Sequence, residues 1–555
     1  MGLLRPDPLL VIGAPLSASD LADAVHLPPS HPDPATFIDN IAPGTVLRHF
    51  DFVARFDERT SCRPSEVEPL RRRGDPLADE AVDVLGLAEV RGRGKDAFKA
   101  VEEYLACKEH ELGPRWADER TTDAVWRLWD EMTREAPSGL AGYGIGADGK
   151  EDRRATPLAP FQEVQVAHPA RKQDPPTLAE GQAVFWKYSA QIYSALGHFS
   201  LAGGFSAPKL AAVMHETNYL TSDARDATHK RLLETSLFVI DAMSDMSTGT
   251  GRGWRSAFRV RMLHAQVRRR IANGKGRFNV YDEQANGVPI NQADLLAVLG
   301  AFMIAPMWSL RRIGIKVTER EEAAYQVCWR HIGYYLGISP DLLTRFYGAS
   351  FQTAETYFAS LAFSIFPAGS PPSDPLNTPQ YKILSAISHR PPHPQGVLHH
   401  VELCRLLLGP SLANQLALPH GTARDRLMVD AEVWTGWALL AFGQAYARIA
   451  GARGRRWEER RQGWFRRVIE LVVVYHLGER RTVFAWREGD RHSTKLEEME
   501  GEDAGVELGP HVGVEVRREW KHLLVEMGCV LGCAAAALAG GAALVRSEQR
   551  LRMFH

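Results

Sequence analysis

From about residue 180 to about residue 480 the apolar side chains of this chain return every three or four positions, a period that packed helices satisfy and strands do not. It runs through "EGQAVFWKYSAQIYSALGHF", "DATHKRLLETSLFVIDAMS", "NQADLLAVLGAFMIAPMWSLRRIG" and "RRVIELVVVYHLG". Alternating patterns are nearly absent, the best being the short "VGVEVR" near the C-terminus, and no repeat of fixed period is found. Residues 1–160 read as irregular: proline-rich and charged stretches ("HLPPSHPDPATF", "RRRGDPLADE") alternate with two helical patterns, "KDAFKAVEEYLACKEHEL" and "TTDAVWRLWDEMTREA". The expected organisation is an N-terminal extension (1–160), a helical domain (161–480), a polar acidic linker (481–521) and an apolar C-terminal helix (522–555). "GADGKEDRRATPLAP" reads as a loop within the extension.

The totals exclude some functions. Of 555 residues, 45% are hydrophobic and 24% charged, with a formal net charge of −1. No global field therefore draws the chain to nucleic acid, and arginine clusters must be read locally. Six scattered cysteines, none in a CxxC pair, fit a reducing, intracellular setting and carry no zinc spacing. Near the start, "LLVIGAPL" falls short of a signal peptide, and Pro6 breaks a myristoylation pattern.

At the other end, Met527 to Val545 is uncharged and bounded by arginines. Its length is close to the ~20 residues that span a bilayer, yet it is rich in Ala and Gly. A membrane anchor, with an ER-like location, and a helix buried on the core are both open readings.

One stretch raises a chemical question: "RVRMLHAQVRRR", residues 259–270. On a helix stepping about 100° per residue, Ala257, Val260, His264, Val267 and Ile271 share a stripe. Arg261 and Arg268 flank it, while Arg255, Arg259, Arg269 and Arg270 point away. An imidazole on an apolar face beside guanidinium groups suits haem: the neutral nitrogen can ligate iron and Arg261 and Arg268 can pair with the propionates. The plain alternative is a core histidine. A phosphate or nucleic-acid site is disfavoured, because the arginines surround the helix and no stacking aromatics are interleaved. Upstream, Arg231 and Thr235 lie one turn apart with Glu234 beside them, which an ordinary amphipathic helix also explains. The intervening "STGTGRGW" lacks a P-loop's strand and lysine and reads as a turn.

The order Arg231-x-x-x-Thr235, a glycine turn, then "VRMLHAQVRR", resembles the latex-clearing (rubber oxygenase) family, which includes the membrane-bound oxygenase of mycophenolic acid biosynthesis. "GVPINQADLLAVLGAF", "LRRIGIKVTEREEAAYQVCWRHIGYYLGI" and "LCRLLLGPSLANQLALP" are similar to its later segments, so the resemblance covers roughly 180–420. It implies an all-α protein, a large globin-like helical bundle with extra helices, enclosing haem b and using dioxygen. His264 would then be the iron ligand, with Arg231 and Thr235 near the haem. Glu216, in "MHETNYL", is the nearest candidate for a glutamate that the family places before that helix as a base. One departure stands out. Family members carry a lysine where this chain has Glu234, which counts against polyisoprene cleavage and leaves haem binding intact.

The expected function is a haem-dependent oxygenase acting on a hydrophobic small molecule, isoprenoid-like, by oxidative C=C cleavage, with Glu216 or Glu234 handling protons. Rival readings are a haem peroxidase or peroxygenase, a non-catalytic haem carrier or sensor, and a membrane-tethered scaffold with no cofactor. The histidines of "SHRPPHPQGVLHH" (His389, His393, His399, His400) read as a surface loop, and His331 as a core residue.

Overall fold

A computed structural model of the chain describes residues 9–57, 60–89, 96–134, 136, 175–204, 207–217, 225–276, 278–366, 369–390, 394–477, 514–515, 517–529, 532 and 536. The expected loop at 146–160 and nearly all of the expected linker lie outside these residues. The chain is predominantly helical, as its periodicity predicts.

The N-terminal extension is more ordered than its composition suggests. Strands β1 (Leu10–Ile12), β2 (Val25–Leu27), β3 (Val46–His49) and β4 (Phe52–Arg55) form one sheet in the order β1-β4-β3-β2. β1 runs parallel to β4 and β2 to β3, while β3 and β4 form a hairpin turned at Phe50, whose φ is 53°. The "VGVEVR" candidate goes the other way: its described residues are helical.

Helix α1 (Pro76–Val84) starts at Asp75, whose side chain accepts from the Ala78 amide and is followed by proline at the first helical position. It grows out of a stretch read as merely charged. Helices α2 (Ala97–Leu112) and α3 (Ala124–Thr133) occupy the two helical patterns, each capped by an aspartate, Asp96 and Asp123.

The body that follows comprises α4 (Leu178–Lys187), α5 (Pro208–Thr217), α6 (Arg225–Ala242), α7 (Arg252–Ala272), α8 (Gln292–Met303), α9 (Ala305–Arg312), α10 (Glu319–Tyr335), α11 (Phe351–Ile365), α12 (Val397–Leu408), α13 (Ala423–Ala450) and α14 (Ala452–Leu477), among shorter helices. Capping boxes start α4 (Thr177, Glu180), α10 (Thr318, Glu321) and α13 (Thr422, Asp425). Gly181 lets α4 lie against α10; a Cβ there would sit 2.2 Å from the Ala324 carbonyl oxygen. Trp254, Trp308, Trp329, Tyr325 and Phe258 fill a single core that also takes in the sheet residues Leu10, Ile12 and Phe52. The extension is thus part of the body. Among the described residues, Gln292–Arg312 is long and apolar enough to cross a membrane, but it is buried within the core.

Candidate active site around His264

The α6–α7 hairpin carries most of the residues singled out by the sequence. Its turn is the "STGTGRGW" stretch, and Gly253 is required there: a Cβ would stand 2.6 Å from Ala242 Cα. Asp241, buried near the end of α6, accepts from Ser256 Oγ at 2.7 Å and pairs with Arg252 at 3.2 Å, pinning the two helices. From that pin, Arg231 lies ~15 Å back along α6 and His264 ~12 Å on along α7, at 1.5 Å per residue. The antiparallel pair therefore brings Arg231, Glu234 and Thr235 to about the level of His264.

His264 is only partly exposed, and its Nδ1 is buried with no hydrogen-bond partner. Its pKa is lowered to about 4, first by burial and then by the Arg268 charge, with Asp75 opposing. The ring is neutral at physiological pH. Val267 and Ile271, one and two turns on, pack with Val213 of α5 and with Leu263, Tyr281 and Ile290. The expected apolar stripe is present.

The arginines of the same helix are differently employed than expected. Arg261 is buried and grips Asp75 with two bonds, Nε to Oδ2 at 2.7 Å and Nη2 to Oδ1 at 3.0 Å, while its Nη1 reaches Glu131 at 2.8 Å. Arg268 Nε pairs with Asp79 at 2.8 Å and its Nη1 donates to the Ile290 carbonyl. Both guanidinium groups expected at propionates thus face carboxylates of the N-terminal extension. Arg259 pairs with Asp96, and Arg269 with Asp83. Arg270, expected to point away, is buried and donates to the Ala88 carbonyl. Sequence reasoning missed Asp75, Asp79 and Glu131 as partners. A signal existed: Asp75, Asp79 and Asp83 recur at four-residue spacing, one acidic helix face.

On α6, Glu234 is buried and accepts from Arg231 Nη1 at 3.1 Å; Thr235 Oγ1 donates to the Arg231 carbonyl at 3.2 Å. Glu216 ends α5 in a different role from the one expected. Its buried carboxylate accepts from the amides of Phe278, Asn279 and Val280 at 3.2, 2.9 and 2.8 Å. It fastens the segment after α7, and a Cβ on Gly276 would collide with it at 2.3 Å.

The surface-loop reading of the later histidines fails for two of them. His399 and His400 begin α12; His399 is buried, bonded through Nε2 to Glu432 at 2.9 Å. His400 Nδ1 meets His198 Nε2 at 3.1 Å. His393 lies outside the described residues. His331 packs edge-on against Tyr335 within α10. Among the described residues no group of three His, Cys, Asp or Glu side chains is arranged to hold a metal ion.

A helical body built around a hairpin that presents a neutral, partnerless imidazole defines the class. Residues 186–441 match the family described as "ER-bound oxygenase mpaB/B'/Rubber oxygenase, catalytic domain". Over this region the chain is similar to that family of oxygenases. Among curated proteins, sequence comparison finds no match. Among solved structures, the chain is similar to latex clearing protein LCP in the closed state, at 16% identity and a TM-score of 0.38, covering 68% of this chain and 93% of that one.

Proposed function

We propose that this chain is a haem b-dependent oxygenase acting on a hydrophobic small molecule, isoprenoid-like, with dioxygen, by oxidative cleavage of a C=C bond. The observation that carries the reading is His264: a neutral imidazole with a buried nitrogen lacking any partner, on a helix within the family-matched region. An iron ligand must be deprotonated at the ligating nitrogen, and burial secures that here.

The residues fit haem at the ligand histidine and differ from expectation around it. His264 would hold the iron, and Arg231 and Thr235 would stand beside the group. Arg261 and Arg268 are not assigned to propionates, because their charges are already met by Asp75 and Asp79. Bound haem supplies the oxygen chemistry; the chain supplies ligand, polarity and access. Val213, Val267 and Ile271 form an apolar cluster on the stripe that carries His264. With Glu216 committed to three amides, proton handling falls to Glu234, which Arg231 holds in place. The Met527–Val545 run tethers the protein to an intracellular, ER-like membrane.

Haemin titration of the purified protein, wild type beside His264→Ala, tests the ligand. A Soret band that shifts or disappears in the variant is expected; an unchanged spectrum removes the assignment. Turnover of an isoprenoid panel with dioxygen against peroxide then separates an oxygenase from a peroxygenase, and a haem-loaded protein that oxidises none of the panel is a carrier or sensor.

A further inference from the structure

The outward face of α13 is built unlike the other helix surfaces. Leu427, Trp434, Trp437 and Ile449 are large apolar side chains left exposed, Ile449 at 86% and Leu427 at 65%. At about 100° per residue they fall within an arc of about 120°, together with Ala431, Ala441 and Ala445. The opposite arc is an ordinary core face: Val429, Leu440 and Gly443 are buried. Along the outward arc no charged residue occurs between Asp430 and Arg448. A helix apolar on both faces is either enclosed by protein or bordered by lipid.

The C-terminal end of this helix is strongly basic. Arg448, Arg453, Arg455, Arg456 and Arg460 are all exposed around the turn into α14, with Glu459 the exposed acid among them. Among the described residues, Arg448, Arg453, Arg455 and Arg456 form no ion pair. The aromatic ring of this turn, Trp457, faces inward against Phe442 and Tyr446. The indole nearest the basic cluster is thereby turned toward its own helices.

The chain's own path leads to the same end. In the helix at 517–529, His522 packs against Trp464 and Glu526 lies beside Trp457. Its partners on α14 therefore descend as its own numbers rise, and it runs antiparallel to α14 toward the α13–α14 turn. By Cys529 it has reached that turn, where the uncharged run to Val545 continues in the sequence.

We propose that the outward face of α13 and its arginine-rich end lie on an anionic bilayer, orienting the body that the C-terminal run tethers. The inference rests on that tether for its location but not for its charge selectivity: apolar side chains enter the interface while the arginines meet lipid phosphates. A second copy of the chain meeting this end like to like would set five exposed arginines against five, with Glu459 the exposed acid among them on each copy.

Flotation of the full chain with vesicles tests this. Phosphatidylcholine vesicles with and without phosphatidylserine are compared for wild type, Arg453→Glu/Arg455→Glu/Arg456→Glu, and Ile449→Asp. Serine lipid is expected to strengthen binding of the wild type, with the gain falling as salt rises. The triple variant should lose on the order of 100-fold and Ile449→Asp about 10-fold, with circular dichroism and haemin spectra unchanged. Equal binding of all three proteins to both vesicles sinks the face and leaves the tether. No binding to either sinks both. A stable dimer through α13, or equal affinity for single-stranded RNA at physiological salt, also overturns the proposal.

Discussion

The two arginine-rich helix segments of this protein use the same side chain for opposite ends. On α7, Arg261 and Arg268 are buried and each meets a carboxylate from the N-terminal extension, Asp75 and Asp79. At the α13–α14 turn, Arg453, Arg455 and Arg456 are exposed. The first set welds the extension to the helix that carries His264; the second is free to meet something outside the chain. A guanidinium in the interior is tolerable only with its charge answered and its fork filled, whereas one in water costs almost nothing to leave open. Local sequence is alike in the two places. The difference lies in what has been brought opposite.

The strongest way to break this comparison is to remove a buried partner. Asp75→Ala leaves Arg261 in the interior with only Glu131 to face, and also strips the cap from α1. A loss of about 3–5 kcal/mol in chemical denaturation is expected. A loss under ~1 kcal/mol would show that the interior pairs are no more than surface pairs. Glu216→Ala should follow at ~2–4 kcal/mol, because three backbone amides lose their acceptor together. If Glu216 were instead a proton-handling group, the variant would keep its stability and lose only turnover.

Acid sharpens the same contrast by charging a buried ring whose Nδ1 meets the Leu27 carbonyl and not a carboxylate. Burial holds the His49 imidazole down at about 4, and its Nε2 has no partner. Between pH 6.5 and 4 the unfolded chain binds a proton that the native state refuses, so stability falls as pH drops through that window. His49→Phe should flatten the fall by on the order of 1–3 kcal/mol in melts recorded from pH 7 to 4. An identical slope in the variant would assign the acid sensitivity elsewhere. At the small end, Arg453→Gln should shift stability by less than ~0.5 kcal/mol. A larger loss would mean that this arginine has a partner within the chain.

Helices were readable where the apolar spacing ran over several turns, and the short α1 was not. α2, α3, α6 and α7 lie where their apolar spacing puts them, and Asp75, Asp96 and Asp123 announce helix starts. The strands were not readable. Each is three or four residues long, too short to display an alternation, and β4 is almost wholly buried. His264 was legible as an imidazole on an apolar stripe, and the turn before it as a turn. The duties of Arg261, Arg268, Arg270 and Glu216 were not, since their partners lie far away in sequence or on backbone amides that carry no side-chain signature.

By itself, then, the order of residues determined the helical body, the α6–α7 hairpin and the presence of a histidine able to stay neutral. These follow from spacing that acts within one or two turns of chain. Tertiary structure alone decided which charges cancel, which carboxylate is a fastening, and which apolar face is left bare. Those outcomes depend on segments meeting across large sequence separations, as Asp75 meets Arg261, and a periodic pattern holds no record of what will be packed against it.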